Sequence, residues 1–294
     1  MSARLFARLL CVLLLLTAPL AYADETDAEQ EARARVAAYA MKVHEYTWTM
    51  PEEDGVILLY NCNYFMRTNG NRLIFEITPP YVAYGTVRGI PYSLSVYGNG
   101  MELTYPEYLE TTNAERAEIS NIYNYRSYGE RISVRYGMSC ATFVSDCLRQ
   151  GFANDPPPVM KGVITLMSEL PWKRHFTFGK RGWKDYDKLQ TADFLFNEEH
   201  VMLVMENDTE HERLRIMEQT PPDYAVANCE NITDVTVTLY YRGSPTEMQA
   251  KRLCMECEAC RQATTGTQYR WADYQELGEK KYRAVFVKYP VSDQ

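Results

Sequence analysis

A cysteine at the start of a predicted helix is the residue of this sequence best suited to nucleophilic chemistry. Ser139 is a typical N-cap residue, Gly151 is a typical helix stop, and one apolar stripe at helical spacing lies between them. The stripe consists of Cys140, Phe143, Val144, Cys147 and Leu148. A helix N-terminus stabilises a thiolate, the nucleophilic form of cysteine, through its unpaired N–H groups and partial positive charge. Cys140 is therefore the predicted nucleophile, whereas Cys147 is predicted to be a small core residue.

A thiolate nucleophile also needs a base that takes up its proton and later delivers it to the leaving group. The chain contains four histidines: His44, His175, His200 and His211. The first falls in a predicted helix, the last falls in a polar turn, and the second has no recognisable pattern around it. His200 directly precedes the apolar run 201–205, which is typical of a buried strand. His200 is the predicted base.

A carboxylate near this histidine could hold the imidazole in one tautomer. The apolar run from Leu214 to Glu218 follows a polar turn, so it can run antiparallel to the strand that begins after His200. Glu218 would then lie beside His200 and accept its N–H, as the third residue of a catalytic triad does. Gln219 is the alternative, because a slip of one residue reverses the side of the sheet that a strand residue faces.

Several further elements would position these residues. Residues 25–46 have apolar residues at helical spacing and are predicted to form an amphipathic helix. Residues 55–87 are predicted to form short strands, with a turn at Asn69-Gly70. Residues 194–196 and 282–289 are predicted strands, and residues 245–262 are predicted to be helical.

The N-terminus predicts export. Arg4 and Arg8 precede an apolar run that ends at Ala21-Tyr22-Ala23, a small-x-small cleavage pattern, so we expect cleavage after Ala23. Removal of residues 1–23 leaves 29 basic and 39 acidic residues, a net charge of −10. Such a charge gives no attraction to nucleic acid, which excludes that class of partner. An uncleaved N-terminal anchor is the alternative to a signal peptide.

Seven cysteines remain after this cleavage, and an odd number in an oxidising compartment leaves at least one thiol unpaired. Cys254, Cys257 and Cys260 lie at spacings of three. In a cytosolic protein this spacing would favour a metal or iron–sulfur site. Here the export signal favours disulfides, with Cys62 and Cys229 as possible partners, so we predict no metal and no cofactor.

Three motifs, in order along the chain, together resemble the NlpC-type cell-wall peptidases. Residues 136–145, Tyr-Gly-Met-Ser-Cys-Ala-Thr-Phe-Val-Ser, are similar to the Asp-Cys-Ser-Gly-Phe-Val nucleophile motif of that family. Residues 189–196, Leu-Gln-Thr-Ala-Asp-Phe-Leu-Phe, followed by His-Val-Met-Leu-Val at 200–204, are similar to its histidine block. Residues 88–93, Arg-Gly-Ile-Pro-Tyr-Ser, are similar to its Gly-x-Pro-Tyr element.

The resemblance implies an α+β, papain-like NlpC-type fold in which the helix of the nucleophile packs on an antiparallel sheet. It further implies an enzyme that cleaves peptidoglycan stem peptides or muropeptides through a thioester, with no cofactor. Cys140, His200 and Glu218 would be catalytic, and the supporting or substrate-binding residues would be Tyr92, Ser139, Asp193 and Gln219. The expected organisation is a signal peptide at 1–23, a helix and strands at 24–80, and a catalytic domain at 81–294 with inserts at about 98–131 and 221–270.

The sequence also departs from the family pattern. Ser139, Ala141 and Thr142 replace the usual Asp, Ser and Gly around the nucleophile, and Ala192 replaces the Gly before Asp193. Two alternative functions therefore stay open: an amidase or acyltransferase of the same fold that acts on another substrate, and an inactive module that only binds cell wall.

Overall fold

The structure is a computed structural model, and the residues that it describes do not include the whole chain. They are 25–50, 58–59, 65–69, 72–76, 81–83, 85–93, 101–112, 115–116, 119–124, 129–134, 136–153, 156–159, 173–220, 230–241, 244–254, 256–257, 260–261 and 265–289. The predicted signal peptide, Cys62 and Cys229 lie outside these residues. Within them, no helix combines the length and apolar character that crossing a membrane requires.

A six-stranded antiparallel sheet forms the centre of the molecule. Its strands are β11 (Phe176–Arg181), β12 (Phe194–Phe196), β13 (Val201–Asp208), β14 (Arg213–Gln219), β17 (Thr267–Asp273) and β18 (Arg283–Val287). They are arranged in the order β11-β18-β12-β13-β14-β17, and every neighbouring pair is antiparallel. The strands predicted from residues 194–196, 201–205, 214–218 and 282–289 are confirmed.

Four α-helices and one 3₁₀ helix are described. The α-helices are α1 (Glu25–Glu45), α2 (Tyr105–Leu109), α3 (Cys140–Arg149) and α4 (Tyr274–Glu279), and the 3₁₀ helix is Trp183–Lys188. The predicted N-terminal helix and the predicted helix that begins at Cys140 are both confirmed. Helices packed against an antiparallel sheet make this an α+β protein.

Two hydrophobic cores cover opposite faces of the sheet. Because successive residues of a strand point to opposite faces, Val201 and Leu203 of β13 enter one core, while Met202 and Val204 enter the other. The first core includes the apolar sides of α1 and α3, and the second includes α4 and the 3₁₀ helix. The thiol helix α3 is therefore fixed on one face of the sheet.

The remaining strands form smaller sheets. They are β1 (Thr47–Met50), β2 (Leu58–Leu59), β3 (Phe65–Asn69), β4 (Arg72–Glu76), β5 (Tyr81–Ala83), β6 (Gly85–Arg88), β7 (Met101–Glu102), β8 (Ile119–Asn124), β9 (Gly129–Val134), β10 (Tyr136–Gly137), β15 (Thr233–Tyr241) and β16 (Ser244–Arg252). Their strand orders are β1-β6, β10-β7, β15-β16-β5-β2 and β4-β3-β9-β8. Strands β3 and β4 pair antiparallel from Phe65↔Glu76 to Asn69↔Arg72, and Gly70 of the predicted turn lies outside the described residues.

The prediction of a helix over residues 245–262 is wrong for residues 245–252. Strand β16 occupies 244–252 and pairs with β15 along nine consecutive residues, from Thr233↔Arg252 to Tyr241↔Ser244. Glu247 and Lys251 are helix-forming residues, but pairing with the β-branched strand β15 outweighs that weak local preference. In addition, β17 begins at Thr267, so residues 267–270 of the expected insert belong to the central sheet.

Candidate active site

The first turn of α3 positions the Cys140 thiol. Ser139 is the N-cap residue, and its hydroxyl accepts a hydrogen bond from the Thr142 N–H at 3.3 Å. Such a cap typically contributes about 1 kcal/mol to helix stability. The predicted apolar stripe of α3 is buried in the first core, and Cys140 itself is only 4% exposed. The sulfur therefore lies where the helix begins, in a largely desolvated position.

A buried carboxylate, that of Glu102, lies beside this helix start. Its Oε2 accepts hydrogen bonds from the Thr142 hydroxyl at 2.6 Å and from the Ser139 hydroxyl. Strand β7 holds Glu102 there by pairing in parallel with β10, with Glu102 opposite Gly137. Sequence reasoning missed Glu102, because an acidic residue in a polar segment gives no sign that it will be buried.

His200 and Glu218 meet at the end of the sheet where β13 begins and β14 ends. His200 Nε2 lies 2.6 Å from Glu218 Oε2. The backbone of His200 is fixed by Asn197, whose Oδ1 accepts the His200 N–H at 2.8 Å and whose own N–H donates to the His200 carbonyl at 2.9 Å. The Cys140 side chain lies close to the same ring, near enough for its charge and hydrogen bonding to raise the pKa of His200.

The electrostatic surroundings favour a protonated imidazole. Burial by itself lowers the pKa of His200, but hydrogen bonds and charges from Cys140 and Glu218 outweigh it and raise that pKa to about 9. Burial would likewise raise the pKa of Glu218, yet the hydrogen bonds and positive charges of His200 and Arg270 lower it. The structure therefore brings the three predicted catalytic side chains together as thiol, imidazole and carboxylate.

Arg270 on β17 is a further member of this group that sequence reasoning missed. Its Nε donates to Glu218 Oε1 at 2.8 Å, so one carboxylate oxygen binds the guanidinium while the other binds His200. Tyr282 lies close by: burial, and then the negative charge of Glu218, raise the pKa of its hydroxyl. Arg270 is more than fifty residues from Glu218 in sequence, so only the pairing of β14 with β17 reveals the contact.

The described hydrogen bonds of Gln219 go to Ile90 and Thr267 and not to His200. Its side chain is fully buried, donates from Nε2 to the Ile90 carbonyl at 2.8 Å and accepts the Thr267 hydroxyl hydrogen at Oε1, 2.7 Å away. Since Glu218 and Gln219 are neighbours on one strand, their side chains point to opposite faces of the sheet. The structure therefore brings Glu218, and not its alternative, to the imidazole.

Asp193 connects elements that lie around the sheet. Its Oδ1 accepts from Arg33 Nη1 at 2.9 Å and from the Val287 N–H at 3.0 Å, and its Oδ2 accepts from the Gln190 N–H at 2.9 Å. The carboxylate thus links α1, the start of β12 and the end of β18. Its partners are structural, and a supporting role describes Asp193 better than substrate binding.

Tyr92 lies beside the segment that leads into α3. It forms a parallel bridge with Met138, whose N–H donates to the Pro91 carbonyl at 2.9 Å. Gly137 permits this close approach, because a Cβ there would lie 2.4 Å from the Pro91 oxygen. The backbone of Tyr92 is therefore fixed opposite Met138, which lies two residues before Cys140.

Taken together, these contacts place the Cys140 thiol at a helix N-terminus, close to an imidazole whose orientation a carboxylate fixes. This is the arrangement that nucleophilic attack on a carbonyl requires. Cys140 is a free thiol, so it is not blocked by a disulfide. In comparisons with protein-family models, curated proteins and solved structures, none matches this chain.

Proposed function

We propose that this protein is an exported, papain-like cysteine hydrolase that cleaves amide bonds, with the peptide stems of peptidoglycan as its substrate. The grouping of Cys140, His200 and Glu218, with 2.6 Å between His200 Nε2 and Glu218 Oε2, is the observation that supports the reaction. The choice of substrate is supported by the three motifs that resemble NlpC-type peptidases and by the predicted signal peptide.

In the first half of the reaction, the Cys140 thiolate attacks the carbonyl carbon of the scissile amide. The N–H of Cys140 at the start of α3 has no intrahelical partner, which suits it to donate to the developing oxyanion. The imidazolium of His200 then gives its proton to the leaving nitrogen. The C–N bond breaks, an amine departs, and the acyl group stays on Cys140 as a thioester.

In the second half, neutral His200 takes a proton from a water molecule, and the resulting hydroxide attacks the thioester carbonyl. The C–S bond breaks, a carboxylic acid leaves, and the thiolate and imidazolium are restored. Glu218 keeps the ring oriented through both halves, because its Oε2 accepts the Nε2 hydrogen throughout. No cofactor takes part in these steps.

The proposal can be tested on the chain that begins at Asp24, with purified peptidoglycan and with soluble muropeptides as substrates. We expect mass spectrometry to find products with one new amino and one new carboxyl terminus. Cys140→Ala should abolish their formation, and His200→Ala should slow it by about 10²- to 10⁴-fold. Undiminished cleavage by Cys140→Ala would rule out the mechanism.

Cys147→Ala is a matched control, because Cys147 lies on the same helix but is fully buried in the first core. It should cleave at the rate of the unmodified protein. An added amine acceptor separates hydrolysis from acyl transfer: its incorporation into the product, in place of water, would show an acyltransferase. Binding of peptidoglycan without any product would instead show a module that only binds cell wall.

A further inference from the structure

A second group of thiols lies between β16 and β17. The sulfur atoms of Cys254, Cys257 and Cys260 all lie within 4.8 Å of one another, and the Cys254 and Cys260 sulfurs are 3.5 Å apart. Among the described residues, this is the one group of three or more cysteine, histidine or acidic side chains that is close enough to hold a metal ion. The three side chains therefore converge on a common point.

The sulfur separations fit a metal site better than a disulfide. A tetrahedral zinc ion with Zn–S bonds of about 2.3 Å places its sulfur ligands about 3.8 Å apart, whereas a disulfide needs about 2.05 Å. A disulfide would also use only two of the three thiols and leave the third unpaired beside it. A metal ion uses all three, since thiolates are the ligands that zinc prefers in structural sites.

The local backbone also suits thiolate ligands. The Cys260 N–H points to the Cys257 sulfur at an N···S distance of 3.3 Å, and such a hydrogen bond stabilises negative charge on a metal-bound sulfur. Cys260 is fully buried against the first core, while Cys254 and Cys257 are half-buried. The group thus has a dry inner side that holds the ligands and an outer side through which an ion can enter.

We propose that Cys254, Cys257 and Cys260 bind one zinc ion, which fixes the chain between β16 and β17. A fourth donor, either water or another side chain, would complete the tetrahedron. Strand β17 begins at Thr267, whose hydroxyl donates to Gln219, and it contains Arg270, which binds Glu218. The zinc would therefore stabilise the entry to the strand that supports the candidate active site, without taking part in its chemistry.

The metal content of the full-length mature chain tests the proposal. Protein purified without chelators should contain about one zinc ion per chain by elemental mass spectrometry. Cys257→Ser should lose most of it, whereas Cys140→Ala and Cys147→Ala, which alter thiols outside the group, should retain it. Substitution of Co²⁺ for zinc should produce the near-ultraviolet thiolate-to-cobalt absorption of a tetrahedral site. Equal zinc in the unmodified chain and in Cys257→Ser would overturn the proposal.

A second measurement needs no variant and so does not depend on whether Cys257→Ser folds. The unmodified chain is alkylated with and without a zinc chelator, and the labelled cysteines are identified by peptide mapping. Zinc binding predicts that labelling of Cys254 and Cys257 rises several-fold when the chelator is present. Labelling that the chelator does not change, or a disulfide between any two of the three cysteines, would refute the site.

Discussion

Two buried carboxylates, Glu218 at the end of β14 and Asp193 at the start of β12, have similar settings and different partners. Each is more than nine-tenths buried, and each forms an ion pair with an arginine. Asp193 fills its remaining hydrogen bonds with backbone N–H groups. Glu218 uses its second oxygen to bind the His200 ring.

This difference distinguishes a structural carboxylate from one suited to chemistry. Burial raises the pKa of Asp193, and Arg33 and the backbone N–H groups only partly oppose it. Burial also acts to raise the pKa of Glu218, but a protonatable imidazole and a guanidinium together lower it. Glu218 therefore differs from Asp193 in its partner and not in its burial: it binds an imidazole, which can gain and lose a proton, and this feature marks the candidate active site.

The largest expected effect is a loss of stability when Arg33, the ion-pair partner of Asp193, is replaced. Arg33→Met would leave Asp193 buried without its cation, and breaking a buried ion pair in this way typically costs about 3 to 5 kcal/mol of stability. Because the pKa of Asp193 would then rise further, uptake of a proton at acidic pH should relieve part of the loss. Urea unfolding at several pH values measures both effects, and destabilisation should be greater at neutral than at acidic pH.

Arg35→Met is the control for this prediction. Arg35 lies on the same helix but is exposed, and its only described hydrogen bond goes to the Gln150 carbonyl at 3.2 Å. Its removal should change the unfolding free energy by about 0.5 kcal/mol or less. An equal loss of stability in Arg33→Met and Arg35→Met would show that the pair with Asp193 is not structurally important.

Sequence patterns predicted the positions of the main elements but not all of the contacts between them. The helix that begins at Cys140 and the strands around His200 and Glu218 were predictable, because cap residues, apolar spacing and polar turns are local signals. Alternation along β14 left both Glu218 and Gln219 as candidates for the partner of His200. Periodicity alone does not tell which face of a strand lies on the side of the histidine. Pairing of β14 with β13 and β17 supplies that missing information.

The contacts that were missed depend on elements distant in sequence. Glu102 reaches Ser139 only because β7 pairs with β10, and Arg270 reaches Glu218 only because β17 pairs with β14. The three clustered cysteines illustrate the same limit. Their spacing, together with the export signal, predicted disulfides and no metal, whereas the positions of the sulfur atoms favour a metal site.

Glu218→Gln tests the carboxylate at the candidate active site. It keeps a hydrogen-bond acceptor near His200 but removes the charge, so we expect catalytic efficiency to fall by about 10- to 100-fold. The pKa of His200, about 9 in the unmodified protein, should fall towards its ordinary value. Since the reaction needs a protonated imidazole, the alkaline limit of the pH–rate profile should move from about 9 to lower pH.

Asp193→Asn is the matched comparison for that variant, because it neutralises the other buried carboxylate. It should lower stability, through the loss of its ion pair with Arg33, and leave the alkaline limit of the pH–rate profile in place. If Asp193→Asn moved the limit as far as Glu218→Gln does, the limit would not report on a specific pair of His200 and Glu218.

The smallest expected effect comes from Arg270→Gln. Arg270 positions Glu218 by binding its Oε1, and its side chain is partly exposed. Its loss should therefore reduce catalytic efficiency by only about two- to fivefold. The direction of the accompanying pH shift is more informative than the size of the loss. Removing a positive charge near the imidazolium raises the pKa of His200, so the alkaline limit should move to higher pH.

This upward shift is opposite to the shift expected for Glu218→Gln, and a general loss of structure would not produce opposite signs in the two variants. Arg213→Gln is the control. Arg213 lies on β14, is also partly exposed, and forms its ion pair with Asp208 rather than with Glu218. Its pH–rate profile should coincide with that of the unmodified protein. A downward shift in Arg270→Gln would mean that Arg270 mainly keeps Glu218 within reach of His200, since the carboxylate would then have moved away from the ring.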